Sequence, residues 1–128
     1  MGSAGEFLSV GIGGMLGAML RFGLIGATSR WTALTGLPLG TMAVNLLGCF
    51  AIGTFVGLAD QRDIWHTSLR PFLVVGLLGG FTTFSAFGYE SFALLRSGQI
   101  GVALLNALTQ VLLGVAAVWF GYSLTAGR

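Results

Sequence analysis

The segment that decides the fold is an apolar run with paired glycines and paired threonines, Gly76-Leu-Leu-Gly-Gly-Phe-Thr-Thr-Phe-Ser-Ala-Phe87. It lies within the uncharged residues 71–89, and about 20 apolar residues are enough to cross a bilayer as a helix. Adjacent glycines and β-branched residues near mid-span disfavour an unbroken helix. We therefore expect a third membrane helix that is broken near its middle. Carbonyl groups freed by such a break are tolerated only inside protein or a wet cavity, where they form a good cation site.

The composition of the whole chain indicates an integral membrane protein. Of its 128 residues, 55% are hydrophobic and only 8% are charged, and the mean hydropathy is +0.90. Soluble domains carry about 25% charged residues, so this chain could not cover its surface with polar side chains. We expect one all-α domain with four transmembrane helices, at residues 7–28, 39–59, 71–95 and 100–124.

The remaining residues are expected to be termini and connectors. Residues 1–6 have no obvious structural role, and we expect them to be either a flexible start or a cloning remnant. Short polar connectors are predicted at residues 30–38, 60–70 and 96–99, with His66 an exposed loop residue in the second of them.

The basic residues are nearly balanced between the two sides of the membrane. Arg62, Arg70 and Arg128 fall on the side of both termini, and Arg30 and Arg96 fall on the other side. The bias towards basic cytoplasmic loops is therefore too weak to choose an orientation. Either an unseen feature decides, or both orientations insert, which predicts an antiparallel homodimer with a two-fold axis in the membrane plane. The scattered arginines form no basic patch, so no nucleic-acid partner is expected.

Small residues and one arginine share a face of the first span. Gly13 and Gly17, like Gly53 and Gly57 in the second span, have the spacing that lets helix backbones approach closely in lipid, and we interpret both pairs as packing faces. Arg21 continues the first of these faces. It either extends to the membrane interface, or faces a water-filled vestibule or pairs with a polar group inside the assembly.

Polar side chains recur in the second and fourth spans at helical spacing. Thr41 and Asn45 lie one turn apart, as do Asn106 and Gln110. Asn45 either joins helices or offers its two amide donors to an anion. Likewise, Asn106 and Gln110 indicate either interhelical hydrogen bonds or one wall of a polar path.

Aromatic residues follow the break in the third span. Phe81, Phe84 and Phe87 recur every three residues, which is usually a packing pattern, but the positive edges of their rings could also line a path for an anion. Glu90, one turn later, lies either at a pore mouth or paired with an arginine. The sequence shows no nucleophile–base pair, paired carboxylates, metal-ligand cluster or phosphate-binding loop, so we do not expect an enzyme.

These segments resemble the Fluc-type (CrcB-like) fluoride ion channels, collinearly over nearly the whole chain. The resemblance is carried by GMLGAMLR (residues 14–21), GTMAVNLLG (residues 40–48), GGFTTFSAF (residues 79–87) and Glu90. It implies a dual-topology homodimer of four-helix subunits in the plasma (inner) membrane of a bacterium. Two pores in that dimer would let fluoride leave the cytoplasm passively and so protect the cell.

The resemblance also implies roles for individual residues. A sodium ion at the dimer centre would be held by the backbone carbonyls of Gly79 and Thr82, Arg21 would line a vestibule, and Glu90 would lie at the pore mouth. The pore and its polar track would be formed by Asn45, Phe84, Phe87, Ser85, Thr41, Asn106 and Gln110. The chain departs from the family pattern at Ala86, Gly88 and Gly114, where hydroxyl residues are common, so the outer track differs here.

Two other functions are possible for a short four-span protein. Small multidrug exporters are also short four-span proteins, but they use a glutamate embedded in the first span, and Glu6 lies outside that span. A non-transporting assembly subunit would use every polar residue to join helices and would not need the broken third helix.

Overall fold

The structure is a bundle of long helices. The computed structural model describes residues 2–62 and 69–127, and no strand occurs among them. Its helices are α1 (Ala4–Thr35), α2 (Leu39–Arg62), α3 (residues 71–81), α4 (Phe84–Arg96) and α5 (Ile100–Thr125). Four segments are long and apolar enough to cross a membrane, and α3 and α4 together form the third, Pro71–Arg96. The predicted all-helical, four-span membrane protein is confirmed.

Helix α1 is longer at both ends than predicted. The Ser3 hydroxyl accepts a hydrogen bond from the Glu6 N–H at 3.3 Å, and the Glu6 carboxylate accepts one from the Ser3 N–H at 2.6 Å. This capping box pairs two backbone N–H groups at the helix start, so the expectation of a flexible start is wrong for residues 3–6. The other end stops at Gly36, whose φ of 71° is the left-handed conformation that glycine adopts readily.

The connectors are correspondingly shorter than predicted. Because α1 runs to Thr35, the first connector comprises residues 36–38 only. Helix α2 continues three residues beyond its predicted end, to Arg62. Residues 63–68, which include His66, and Arg128 lie outside the described residues. The tight connector before α5 occupies residues 97–99.

Helix α3 has an unusual winding that the hydropathy pattern does not predict. Pro71–Leu78 forms a π-helix, and Gly79–Phe81 adds one α-helical turn. In a π-helix each N–H bonds to the carbonyl five residues earlier, and the Gly79 N–H accordingly bonds to the Val74 carbonyl as well as to that of Gly76. Such segments occur often at functional sites.

Glycines let α1 lie directly against α3. A Cβ atom added to Gly13 would lie 2.5 Å from the Phe72 carbonyl oxygen, and one added to Gly80 would lie 2.5 Å from the Gly14 carbonyl oxygen. A Cβ atom added to Gly17 would also collide with the α3 backbone. The predicted packing face on α1 is therefore confirmed, and no larger residue fits at this spacing.

The second glycine face joins α2 to α5. A Cβ atom on Gly53 would collide with the Val118 carbonyl, and one on Gly57 would lie 2.8 Å from the Tyr122 carbonyl oxygen. This packing face is confirmed as well. The third span is the least buried of the four. Within its most apolar stretch only 6% of the residues are buried inside the chain, against 11%, 33% and 17% in the first, second and fourth spans. Its outer face is therefore open to lipid or to another protein.

We expect Gly17→Ala to destabilise the fold, because the added methyl group would collide with the Leu77 carbonyl and lie 2.7 Å from the Phe81 nitrogen. Overpacking of this kind lowers the free energy of unfolding by about 1–3 kcal/mol. Gly11→Ala on the same helix is the matched control, since a Cβ atom there meets nothing within 4 Å. Denaturant titration in mixed micelles measures both variants, and equal stability would contradict the close approach of α1 and α3.

Candidate functional site

The candidate site is built around an interruption between α3 and α4. Helical winding ends at Phe81, the backbones of Thr82 (φ −83°, ψ 162°) and Thr83 (φ −153°, ψ 117°) are extended, and α4 begins at Phe84. The Thr83 hydroxyl caps α4 by accepting a hydrogen bond from the Ala86 N–H at 3.2 Å. Peptide groups here leave the helical pattern at membrane depth, where water does not replace missing partners.

The side chain of Asn45 supplies those partners. Its Oδ1 accepts a hydrogen bond from the Thr83 N–H at 2.9 Å, and its Nδ2 donates to the Thr83 carbonyl at 3.1 Å. The amide of Asn45 therefore pairs with Thr83 on both sides, as the backbone of an adjacent strand would. This geometry matches the first interpretation of Asn45, in which it joins helices.

A line of amide side chains continues from Asn45 into α5. Asn45 Nδ2 donates to Gln110 Oε1 at 2.7 Å, and Gln110 Nε2 donates to Asn106 Oδ1 at 2.8 Å. Asn106 is fully buried, and its Nδ2 donates to the Ser91 hydroxyl of α4 at 3.0 Å. The two amides of the fourth span thus form interhelical hydrogen bonds and, at the same time, a continuous polar line through the bundle.

Arg21 is also held at the interruption. Its Nη1 donates to the Thr82 carbonyl oxygen at 3.1 Å, and the side chain is half-buried. Of the two interpretations of this arginine, the geometry matches pairing with a polar group inside the protein. The guanidinium places a positive charge beside the end of α3, where helix carbonyls are unpaired and carry partial negative charge.

A second polar pair lies one turn earlier on α2. The buried Thr41 hydroxyl donates to Glu90 Oε1 at 2.6 Å. The other carboxylate oxygen, Oε2, is buried and has no hydrogen-bond partner among residues 2–62 and 69–127. Glu90 therefore pairs with a hydroxyl here and carries an acceptor that remains open.

The aromatic stripe is divided by the interruption. The rings of Phe84 and Phe87 lie together at the start of α4, with centroids 5.6 Å apart and planes inclined by 49°. Phe81 belongs to α3, on the other side of the break. Phe84 is 83% exposed, so its ring faces outward from the single chain. Ser85 is exposed beside them, with its hydroxyl 3.4 Å from that of Thr83.

An open cavity of about 360 Å³ brings several of these residues together. It is lined on one side by α2 and on the other by the end of α3 and the start of α4. Among the predicted site residues, its walls include Asn45, Phe84, Gly79 and Thr82. Arg21, Thr41, Glu90, Asn106, Gln110, Ser85 and Phe87 lie outside its lining.

Backbone carbonyls at the break are the groups best suited to hold a cation. The Thr83 N–H, which would bond to the Gly79 carbonyl in an unbroken helix, donates to Asn45 instead. Gly79 therefore offers a freed carbonyl, and the Thr82 carbonyl keeps a second lone pair beside its bond to Arg21. Within the described residues, no group of three or more His, Cys, Asp or Glu side chains could hold a metal ion.

Sequence reasoning missed two members of the site. The sequence predicts Thr83 only as one of two poor helix formers, whereas it forms two bonds with Asn45. No pattern described above predicts Ser91, which ends the amide line. Its position directly after Glu90, on a helix joined to α5 by a tight connector, is the signal that would have identified it.

Comparisons with known proteins agree with this architecture. The profile of the CrcB-like family, described as camphor resistance (CrcB), matches residues 8–122. A protein from Paracoccus denitrificans named fluoride-specific ion channel FluC is 46% identical over 122 residues, covering 95% of this chain and 94% of its own. A protein of the same name from Solibacter usitatus is 44% identical, and the match covers 91% of this chain and 94% of that protein. Another, from a strain of Thermus thermophilus, is also 44% identical, with 93% of this chain and 94% of that protein covered.

The matched region extends from the first turns of α1 almost to the end of α5, so it includes every helix that contributes to the site. These relatives exceed the identity at which shared ancestry and fold are secure. The four-span membrane chain described here belongs to the CrcB-like family.

Proposed function

We propose that this chain is a fluoride-selective ion channel through which fluoride leaves the cytoplasm passively. The observation that carries the proposal is the meeting of Asn45 with Phe84 at a broken helix, in a chain whose relatives are named fluoride-specific ion channels. The physiological role follows from the chemistry of fluoride. It enters cells as the neutral acid, ionises at the higher internal pH and must leave as the anion.

The residues at the break suit a small, strongly hydrated anion. A pore must replace the water around fluoride with donors, yet must not bind the ion so tightly that it stays. Asn45 provides N–H donors without a full charge, and the edges of Phe84 and Phe87 provide partial positive charge. Thr41, Ser85, Asn106 and Gln110 would extend the polar track, with Arg21 at a vestibule and Glu90 at a pore mouth.

The proposal includes an antiparallel homodimer with two pores. Two observations support a second copy: the near balance of arginines on the two sides, and the sparse covering of the third span. The cavity at the break and the exposed ring of Phe84 open on the outside of the single chain. A second copy would close that opening and complete a path between the subunits.

A structural sodium ion fits at the centre of such a dimer. The Gly79 carbonyl has lost its helical partner, and the Thr82 carbonyl retains a lone pair, so each chain offers two oxygen ligands of the kind that hard cations prefer. Two copies would together offer four. The ion would supply a fixed positive charge that neutralises the carbonyl ends of the two α3 helices, and Arg21 would hold the Thr82 carbonyl in position.

Proteoliposomes loaded with fluoride and chloride provide the direct test. We expect rapid, protein-dependent release of fluoride, read with a fluoride electrode, while chloride is retained. Vesicles without protein are the control for leakage. A folded, dimeric sample that released no fluoride would contradict the proposal and favour an assembly subunit or an exporter.

Replacing either pore ring by isoleucine is expected to lower fluoride efflux by orders of magnitude while the fold survives. Phe84→Ile and Phe87→Ile keep apolar bulk but remove the positive ring edge. Phe92→Ile is the matched control, because Phe92 lies on the same helix and is 58% exposed. Unchanged efflux in both pore variants would remove the aromatic pair from the pathway.

We expect Asn45→Asp to abolish most fluoride efflux without dissociating the dimer. The carboxylate still accepts the Thr83 N–H, but it carries a negative charge and has no hydrogen for the Thr83 carbonyl, Gln110 or an anion. Efflux is compared with dimer content, measured by chemical cross-linking in the same vesicles. Wild-type efflux from this variant would remove the Asn45 amide from the fluoride path.

A further inference from the structure

Both amide hydrogens of Asn45 already have acceptors within the chain. One bonds to the Thr83 carbonyl at 3.1 Å and the other to Gln110 Oε1 at 2.7 Å. The orientation of this amide is fixed, because the Thr83 N–H requires Oδ1 to face it. An anion that uses an Asn45 N–H must therefore replace one of these two acceptors.

Gln110 is the acceptor that an anion can replace. The Thr83 carbonyl belongs to a backbone held by its own N–H, by Asn45 and by the cap of α4. Gln110 Oε1, in contrast, ends a half-buried side chain with three rotatable bonds. Moving the Gln110 amide away from Asn45 requires a change of rotamer and gives up its bond to Asn106, but it leaves the backbone in place.

The Thr83 end of the amide line determines which end of Gln110 faces Asn45, because the Thr83 N–H can only donate and so turns Asn45 Nδ2 towards Gln110 Oε1. Gln110 Nε2 then donates to Asn106 Oδ1 at 2.8 Å, and Nδ2 of the fully buried Asn106 donates to the Ser91 hydroxyl. Apart from the Asn45 hydrogen that bonds back to the Thr83 carbonyl, the donors in the line therefore point the same way, from Thr83 towards Ser91. This polarised chain holds the oxygen of Gln110 against Asn45 and returns it there after displacement.

We propose that Gln110 is a competing acceptor that an anion must displace from Asn45, and that this competition selects fluoride over chloride. The inference rests on the proposed function, and it assigns the selectivity of the proposed channel to the side chain of Gln110. A hydrogen bond to an ion is roughly twice as strong as one between neutral groups. Fluoride is a small and strong acceptor, so its hydrogen bond to Asn45 is stronger than the Asn45–Gln110 bond that it replaces. Chloride is larger and a weaker acceptor, and its bond to Asn45 does not compensate for the loss of the Asn45–Gln110 bond.

The test compares two substitutions that a general structural role would affect alike. Gln110→Met has similar length but no acceptor, so the fluoride concentration that half-saturates efflux should fall about fivefold, the effect of one net hydrogen bond. Chloride efflux from the same vesicles should become measurable. Gln110→Glu keeps an oxygen opposite Asn45, so its half-saturating concentration should not fall; because its negative charge repels chloride by itself, only half-saturation is compared for this variant. Gln99→Met, an exposed glutamine at the start of α5, is the matched control.

The inference is overturned if Gln110→Met leaves both half-saturation and chloride retention at wild-type values, whatever happens to its maximal flux. It is also overturned if the methionine and glutamate variants behave alike. If wild-type vesicles release no fluoride, the proposed function itself fails, and this inference fails with it.

A measurement on the unmodified dimer does not depend on how the variants fold. In ¹⁵N-labelled protein in micelles, fluoride should shift one of the two Asn45 side-chain amide protons together with the Gln110 amide, and chloride at equal concentration should shift neither. Absence of the fluoride-dependent shift, in a preparation that releases fluoride from vesicles, would overturn the role of Gln110 and leave the proposed channel intact.

Discussion

The pairing of the Asn45 side chain with the Thr83 backbone is the constraint on which the rest of the structure depends. A helix interrupted inside a bilayer leaves peptide groups that water does not reach, and each unpaired group costs several kcal/mol. Asn45 offers an acceptor and a donor at the spacing of a peptide group, 2.9 Å and 3.1 Å from Thr83. Aspartate would keep only the acceptor and leucine would have neither group, so of these side chains only an amide pairs with both peptide groups of Thr83.

Close packing of backbones makes that pairing possible. Gly48 lies three residues after Asn45, and a Cβ atom there would collide with the Thr82 methyl group, so glycine lets α2 lie this close to the break while Thr82 keeps its rotamer. On the opposite side, Gly17 brings α1 against α3 so that Arg21, one turn later, reaches the Thr82 carbonyl. The interruption is thus held from two sides by helices that approach at glycines, and its polar partners are fixed by a rigid frame.

The sequence predicted features that depend on local pattern and missed those that depend on how helices fit together. Four apolar stretches were enough to predict the four spans, and two glycine pairs were enough to predict the two packing faces. Both features can be recognised within a single segment, from its length relative to the bilayer and from the spacing of its small residues. The capping box at Ser3 was missed because hydropathy does not register polar capping residues. The partners of Asn45 were also beyond sequence, since whether its amide meets Thr83, Gln110 or an ion depends on the relative register of α2, α4 and α5.

A site in which both donors of the central amide, Asn45, are occupied is better suited to rapid passage than one in which they are open. Exposed N–H groups in a dry channel would be unstable without an ion, and once an ion arrived they would hold it strongly. In this chain each amide in the line bonds to the next, from Thr83 to Ser91, so the ion-free state is already satisfied. An ion that enters gains only the difference between its own bond and the bond that it replaces. That small difference is compatible with both selectivity and release, and it explains why uncharged amides suit this position better than an arginine, whose full charge would hold the anion strongly.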